Sequence, residues 1–145
     1  MKESQFIYYL DVDKDDVYSF KKVVEDLGHT ISVFIDGYKM IYELGNLAKL
    51  PDVIFLNSNM PVLNGEEILD IIKGNEEWKQ ISIVMVSGAF PRKLLRYYNH
   101  VGVNHILKRP ISSDYNRAYD QVFKMDLSQV LRMNSNRNVK YSLSL

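Results

Sequence analysis

The sequence has no cysteine and only four prolines, seven glycines and one tryptophan among its 145 residues. The absence of cysteine excludes disulfide bonds and thiolate metal sites. The longest apolar runs are a few residues, far below the roughly 20 needed to cross a bilayer, and the amino terminus has no signal-peptide pattern. These absences predict a soluble, cytoplasmic protein that does not bind membranes.

The chain also has no excess of charge of either sign. It contains 18 Lys and Arg against 18 Asp and Glu, with a pI near 6.8. Nothing in this overall charge favours nucleic acid as a partner. A length of 145 residues fits one domain with one core. Another protein is therefore the predicted class of partner.

Short apolar runs alternate with helical patterns along the chain. The predicted strands are residues 6–10, 29–34, 52–56, 81–86 and 105–107, and each is followed by apolar residues at helical spacing. The run 52–56 is apolar almost throughout, as in strands that are buried on both faces of a parallel sheet. This alternation predicts an α/β fold with a doubly wound, five-stranded parallel sheet.

In such a sheet the ligand crevice lies beyond the carboxyl ends of the strands. The candidate site residues, each directly after a predicted strand, are Asp11, Val12, Asp13, Asn57, Ser58, Asn59, Ser87, Arg109 and Pro110.

Five segments, in order along the chain, resemble the receiver domain of bacterial two-component response regulators. They are Leu10 to Asp13, Pro51 to Asn57, Asn59 to Pro61 with Asn64-Gly65, Ile83 to Gly88, and Gly102 through Leu107 to Pro110. The resemblance covers about residues 5 to 124. It implies a flavodoxin-like (βα)5 sheet with strand order 2-1-3-4-5.

The resemblance also implies a set of roles. In that family an aspartate takes a phosphoryl group, and it shares a magnesium ion with an acidic pair that follows the first strand. These roles fall on Asn57 for the acceptor and on Asp11 and Val12 for the pair. The hydroxyl and the lysine that bind the phosphoryl oxygens fall on Ser87 and Arg109. Three of these five positions depart from the family pattern.

Each departure has a chemical consequence. A neutral amide is a poor nucleophile, so Asn57 is predicted not to accept phosphate. Magnesium needs carboxylates beside phosphate oxygens and water, so Asp11 next to Val12 predicts a weak magnesium site at most, and no cofactor. Arg109 is predicted to replace the metal by holding Asp11 bidentately while it donates to the Asn57 side-chain oxygen.

Four other positions in or near the crevice have simpler interpretations. Asp13, Asp15 and Asp16 are interpreted as helix caps and favourable first-turn charges, with a displaced metal site as the secondary interpretation. Ser87 is either a small packing residue or a functional hydroxyl, and the sequence leaves both interpretations open.

Three residues bear on switching and partner contact. Ile106 stands where receiver domains commonly place an aromatic residue, which implies that the rotameric switch of the family is absent. Tyr97 and Tyr98 lie on the predicted fourth helix, on a face that receiver domains often use for dimers or targets. One of the two tyrosines is expected to belong to the core.

The chain divides into a receiver-like domain, residues 1–131, and a C-terminal extension, residues 132–145. Residues 139–145 alternate apolar and polar side chains, which is a strand pattern. One hypothesis is that this segment adds a strand to the sheet edge of a second copy, and the alternative is that it packs on its own domain.

The sequence therefore predicts a single-domain pseudo-receiver with no enzymatic activity. It would act by contact with a protein such as a sensor kinase or another regulator, or as a homodimer through the C-terminal tail. The alternative is a working phosphorelay receiver that uses a displaced acid such as Asp13 or Asp52. A small hydrolase is disfavoured, because no nucleophile stands beside a base.

Overall fold

The computed structural model describes residues 4–60, 63–109 and 115–124. Five strands and five helices alternate in this part of the chain. The strands are β1 (Phe6–Leu10), β2 (Thr30–Phe34), β3 (Val53–Asn57), β4 (Ser82–Ser87) and β5 (His105–Lys108). The helices are α1 (Lys14–Asp26), α2 (Gly37–Leu44), α3 (Gly65–Lys73), α4 (Arg92–Val101) and α5 (Tyr115–Lys124).

The strands form one parallel sheet in the order β2-β1-β3-β4-β5. This confirms the predicted doubly wound fold and its strand order. β3 lies at the centre and is buried at every position, which explains its continuous apolar sequence. The predicted strand at 139–145 and the predicted site residue Pro110 lie outside the described residues.

The sheet separates two apolar layers. On one face, α1 and α5 cover an aromatic cluster in which Phe20 stacks on Tyr9, with ring centroids 4.1 Å apart, and meets Tyr119 edge-on at 4.7 Å. On the other face, α2, α3 and α4 cover a layer that includes Met40, Ile68 and Ile106. Among the described residues, no helix is long and apolar enough to cross a membrane.

Polar side chains start three of the helices. Asp13 accepts hydrogen bonds from the Asp15 and Asp16 backbone N–H groups at the start of α1, and Asp36 accepts one from Tyr38 at the start of α2. Asn64 forms a capping box with Glu67 at the start of α3. The predicted cap at Asp13 is thus confirmed.

One glycine is required by the close approach of α3 to the end of β3. A Cβ atom at Gly65 would lie 2.6 Å from the Asn57 carbonyl oxygen, which is closer than atoms can approach. Glycine here lets the first turn of α3 lie directly against the carboxyl end of β3.

The buried imidazole of His105 makes the stability of the fold depend on pH. It is 7% exposed at the start of β5, and no group in the described part of the chain bonds to its Nε2 atom. Burial lowers the pKa of His105 from 6.5 to about 4. The folded state therefore favours the neutral ring, so its contribution to stability is complete above pH 6.5 and is lost as the pH falls towards 4.

We predict that His105 alone lowers the free energy of unfolding by about 2 kcal/mol when the pH falls from about 7.5 to about 5. His105→Gln should remove that part of the pH dependence, because glutamine does not titrate. Urea unfolding at the two pH values measures the difference. His100→Gln is the matched control, since His100 is exposed, and it should keep the full pH dependence. An unchanged slope in His105→Gln would contradict the prediction.

Candidate functional site

The site is built around the carboxylate of Asp11, directly after β1. Asp11 has no exposed surface. Its Oδ1 atom accepts hydrogen bonds from the Asp13 backbone N–H at 3.1 Å and from the Asn57 amide nitrogen at 2.9 Å. Its Oδ2 atom accepts from the Tyr9 hydroxyl at 2.7 Å and from Arg109 Nη1 at 2.9 Å. A carboxylate has about four acceptor positions, and here four donors take them.

Asn57 is held by hydrogen bonds on both sides of its amide group. While its nitrogen donates to Asp11, its Oδ1 atom accepts the Asn59 backbone N–H at 3.0 Å. The side chain lies at the end of β3 and the residue is 4% exposed. The donor to Asp11 exists only because residue 57 is an amide, since an ionised aspartate has no hydrogen to donate.

Arg109 lies directly after β5 and joins two acids. Its Nη1 atom donates to the carboxylates of both Asp11 and Asp16. The two carboxylate side chains are 0% and 5% exposed, whereas that of Arg109 is 23% exposed. Burial by itself would lower the pKa of Arg109, but the neighbouring Asp11 raises it well above its usual range, with help from Asp16. The guanidinium is therefore a permanent cation in the site.

The predicted ion pair between Arg109 and Asp11 is present, but its geometry differs from the prediction. One nitrogen serves Asp11 and Asp16 together, where a bidentate hold on Asp11 was expected. The Asn57 oxygen, predicted to accept from Arg109, accepts from the Asn59 backbone. The reason is the second acid, because Asp16 draws the guanidinium towards α1.

Sequence reasoning missed the role of Asp16. It was interpreted as a first-turn charge of α1 or, secondarily, as part of a displaced metal site, and not as a partner of Arg109, yet the residue is 3% exposed and faces the site. A signal was available, since Asp16 precedes Phe20 by one helical turn and so shares the inward face of α1 with it. An acid on the apolar face of a helix needs a partner.

The side chains of two predicted site residues do not take part in the network. Val12 is 43% exposed at the rim of the sheet. The Asp13 side chain is exposed and caps α1. By contrast, Ser87 is buried next to the site. Its Oγ atom accepts a hydrogen bond from the Ala89 backbone N–H at 3.3 Å, and its backbone carbonyl accepts one from the Arg109 backbone N–H at 2.7 Å.

Tyr9 connects the site to the core beneath it. Its hydroxyl donates to Asp11, and its ring stacks on Phe20. Burial raises the pKa of Tyr9 far above its ordinary value, and the neighbouring Tyr119 and Asp11 raise it further. The phenol therefore stays protonated and remains a donor.

The three residues predicted for switching and contact differ in how far they are buried. Ile106 is fully buried in the layer under α4. Tyr98 is also fully buried, so one of the two tyrosines does belong to the core, as expected. Tyr97 is half-buried, and its hydroxyl donates to Asp70 of α3. Tyr98 is therefore not a surface residue, whereas Tyr97 keeps part of its surface exposed, and its role in contacts stays a prediction.

Comparison with known proteins places this arrangement in a family. The model of the response regulator receiver domain matches residues 10–118. A curated relative, stress response regulator protein 1 of Candida tropicalis, is 28% identical over 61 residues. That alignment covers 42% of this chain and 23% of the relative, so the chain spans about a quarter of that protein.

Solved structures share the fold. The phosphorylated cyanobacterial phytochrome response regulator RcpA has a TM-score of 0.78 at 19% identity, over 94% of this chain and 99% of that one. The Mn²⁺-bound response regulator Rcp1 has a TM-score of 0.75 at 21% identity, over 83% and 93%. Chemotaxis response regulator CheY4 of Vibrio cholerae has a TM-score of 0.71 at 18% identity, over 84% and 98%. By its sequence match, this chain belongs to the response regulator receiver domain family of two-component signalling.

Proposed function

We propose that this receiver domain does not accept a phosphoryl group at residue 57 and acts through protein contact, without enzymatic activity. The observation that carries the proposal is the Asn57 amide, which donates to Asp11 and accepts from the Asn59 backbone. Its nitrogen lone pair is delocalised into the carbonyl, so it cannot attack phosphorus as a carboxylate does. The pocket keeps the shape of a phosphoacceptor site without the nucleophile.

The residues present do not fit the magnesium ion that the family pattern implies. Magnesium requires oxygen ligands with free lone pairs, whereas the acceptor positions of Asp11 are taken by four donors. The second acid of the pattern is replaced by Val12, and Asp16 is paired with Arg109. In our proposal the Arg109 guanidinium takes the place of the ion, and the domain has no cofactor.

The alternative, phosphorylation of a displaced carboxylate, has less support. Asp52 precedes β3 at the opposite end of the sheet from the site, where its Oδ2 atom accepts the Phe6 backbone N–H at 2.8 Å. Asp13 accepts two backbone N–H groups as the cap of α1. Asp52 is therefore far from Arg109 and Ser87, the groups that would bind phosphoryl oxygens.

The charge pattern suggests the kind of partner. From residue 87 to residue 110 the sequence contains five Lys and Arg and no Asp or Glu. Lys93 and Arg96 of α4 and Lys108 at the end of β5 are exposed. We propose that this basic surface contacts an acidic surface on a sensor kinase or another regulator, in the cytoplasm. A second copy of the chain is the competing partner.

We predict that incubation with acetyl phosphate and magnesium leaves the intact mass of the protein unchanged. Asn57→Asp alone should also fail to give efficient phosphorylation, because Val12 and Arg109 still exclude the metal. The triple variant Asn57→Asp, Val12→Asp, Arg109→Lys restores the family pattern and should gain one phosphate, which makes it the positive control. A phosphate found on Asp13, Asp16 or Asp52 of the parent chain would establish the alternative.

Replacing the cation should destabilise the domain. Arg109→Ala leaves two buried carboxylates without a counter-charge, and we expect a loss of about 3 kcal/mol in unfolding free energy at neutral pH. Urea unfolding at neutral pH measures this loss.

Two matched variants complete that test. Arg109→Lys keeps the charge and should cost about 1 kcal/mol, because an ammonium group lacks the planar fork. Lys108→Ala removes a neighbouring exposed cation and should change stability by less than about 0.5 kcal/mol. If Arg109→Ala behaved like Lys108→Ala, Arg109 would have no role as a counter-ion.

A further inference from the structure

Helix α4 is attached to the domain in an unusual way. Pro91 stands at its N-cap position and provides no side-chain hydrogen bond, whereas α1, α2 and α3 start with polar caps. A helix without a side-chain cap lacks one source of stabilisation at its N-terminus. Contacts with the rest of the domain therefore matter more for holding α4 in place.

Two neighbouring tyrosines tie α4 to α3. The Tyr98 hydroxyl donates to Glu66 Oε2 at 2.8 Å, and the Tyr97 hydroxyl donates to Asp70. Glu66 and Asp70 are one helical turn apart on α3, so the two bonds lie side by side. We call these four residues the tyrosine–carboxylate clamp.

The clamp contains one partly buried hydrogen bond, from Tyr98 to Glu66, and one exposed hydrogen bond, from Tyr97 to Asp70. A bond from a hydroxyl to a carboxylate is charge-assisted, and such bonds exceed neutral ones in strength. Burial raises the pKa of both tyrosines, so the phenols remain protonated donors. Burial also raises the pKa of Glu66, while its bond from Tyr98 favours the charged form. Because Asp70 and Glu67 repel that charge, Glu66 depends on the phenol donor.

The ring of Tyr98 is enclosed as firmly as its hydroxyl. Tyr98 and Ile106 are both fully buried in the same apolar layer. Phe90 meets the Tyr98 ring edge-on, with centroids 6.1 Å apart. The hydroxyl also contacts Ser58, which is buried directly after Asn57. The clamp therefore joins α4 to α3 and to the segment that leaves the site.

We propose that the tyrosine–carboxylate clamp holds α4 in a single position, so that the basic surface of α4 and β5 is permanently formed. The importance of that surface rests on the proposed function, whereas the rigidity of α4 does not. Ile106 agrees with this arrangement, because a buried, β-branched residue has few rotamers to exchange. The family resemblance implied the loss of a switch, and the clamp is the feature that replaces it.

Amide hydrogen exchange of the full chain tests the clamp. Tyr98→Phe removes the donor and keeps the ring, and we expect the α4 amides to exchange roughly tenfold faster or more, while those of α1 change little. Tyr9→Phe is the matched control, because it removes another buried phenol that donates to a carboxylate, Asp11. In that control, the exchange rates of the α4 amides should not rise relative to those of the α1 amides.

A second pair of variants keeps the test decisive if Tyr98→Phe does not fold. Glu66→Gln retains an oxygen that accepts from Tyr98, so α4 exchange should stay within about twofold of the parent, whereas Glu66→Leu should accelerate it roughly tenfold. Equal α4 exchange in these two variants, or an equal acceleration in every helix, would overturn the proposal. The experiment needs neither a partner nor a phosphodonor, so its outcome is independent of the test for phosphorylation.

Discussion

The buried carboxylate of Asp11 is the constraint on which the rest of the site depends. An ionised carboxylate without exposed surface has lost its water and requires donors from the protein. The donors come from β1 through Tyr9, from the Asp13 backbone, from β3 through Asn57, and from the end of β5 through Arg109. One buried charge therefore ties together three strands of the sheet, and each donor is needed because the charge is there.

The departures at positions 57 and 109 are physically linked. An aspartate at position 57 would remove the amide donor and set a second carboxylate against Asp11 Oδ1, where the amide nitrogen now lies at 2.9 Å. With Asp16, the pocket would then hold three carboxylates and one guanidinium. Like charges this close raise each other's pKa until a proton or a cation neutralises them. The amide and the arginine together balance the charge that a metal ion balances in a fully acidic pocket.

The sequence allowed the fold to be predicted because hydrophobic patterning records burial directly, as in the fully buried β3. It also allowed the Asp11–Arg109 pair to be predicted, because a buried acid at the crevice needs a cation. It did not reveal Asp16, since a first-turn acid is already explained by the helix dipole. Nor did it reveal that Tyr97 bonds to α3, because that depends on the rotation of α4 about its own axis, which a few apolar residues do not determine.

A receiver with this pocket has little means of sensing an added anion. An input can shift an equilibrium between two states only by its differential affinity for them, and a shift from 1:99 to 99:1 needs about 5.5 kcal/mol. The main cation that would provide that energy is already engaged, since Arg109 is bound to two carboxylates. With α4 held by its clamp, every copy of our proposed receiver presents the same surface. The signal would then depend on how many copies meet the partner, because the state of each copy does not change.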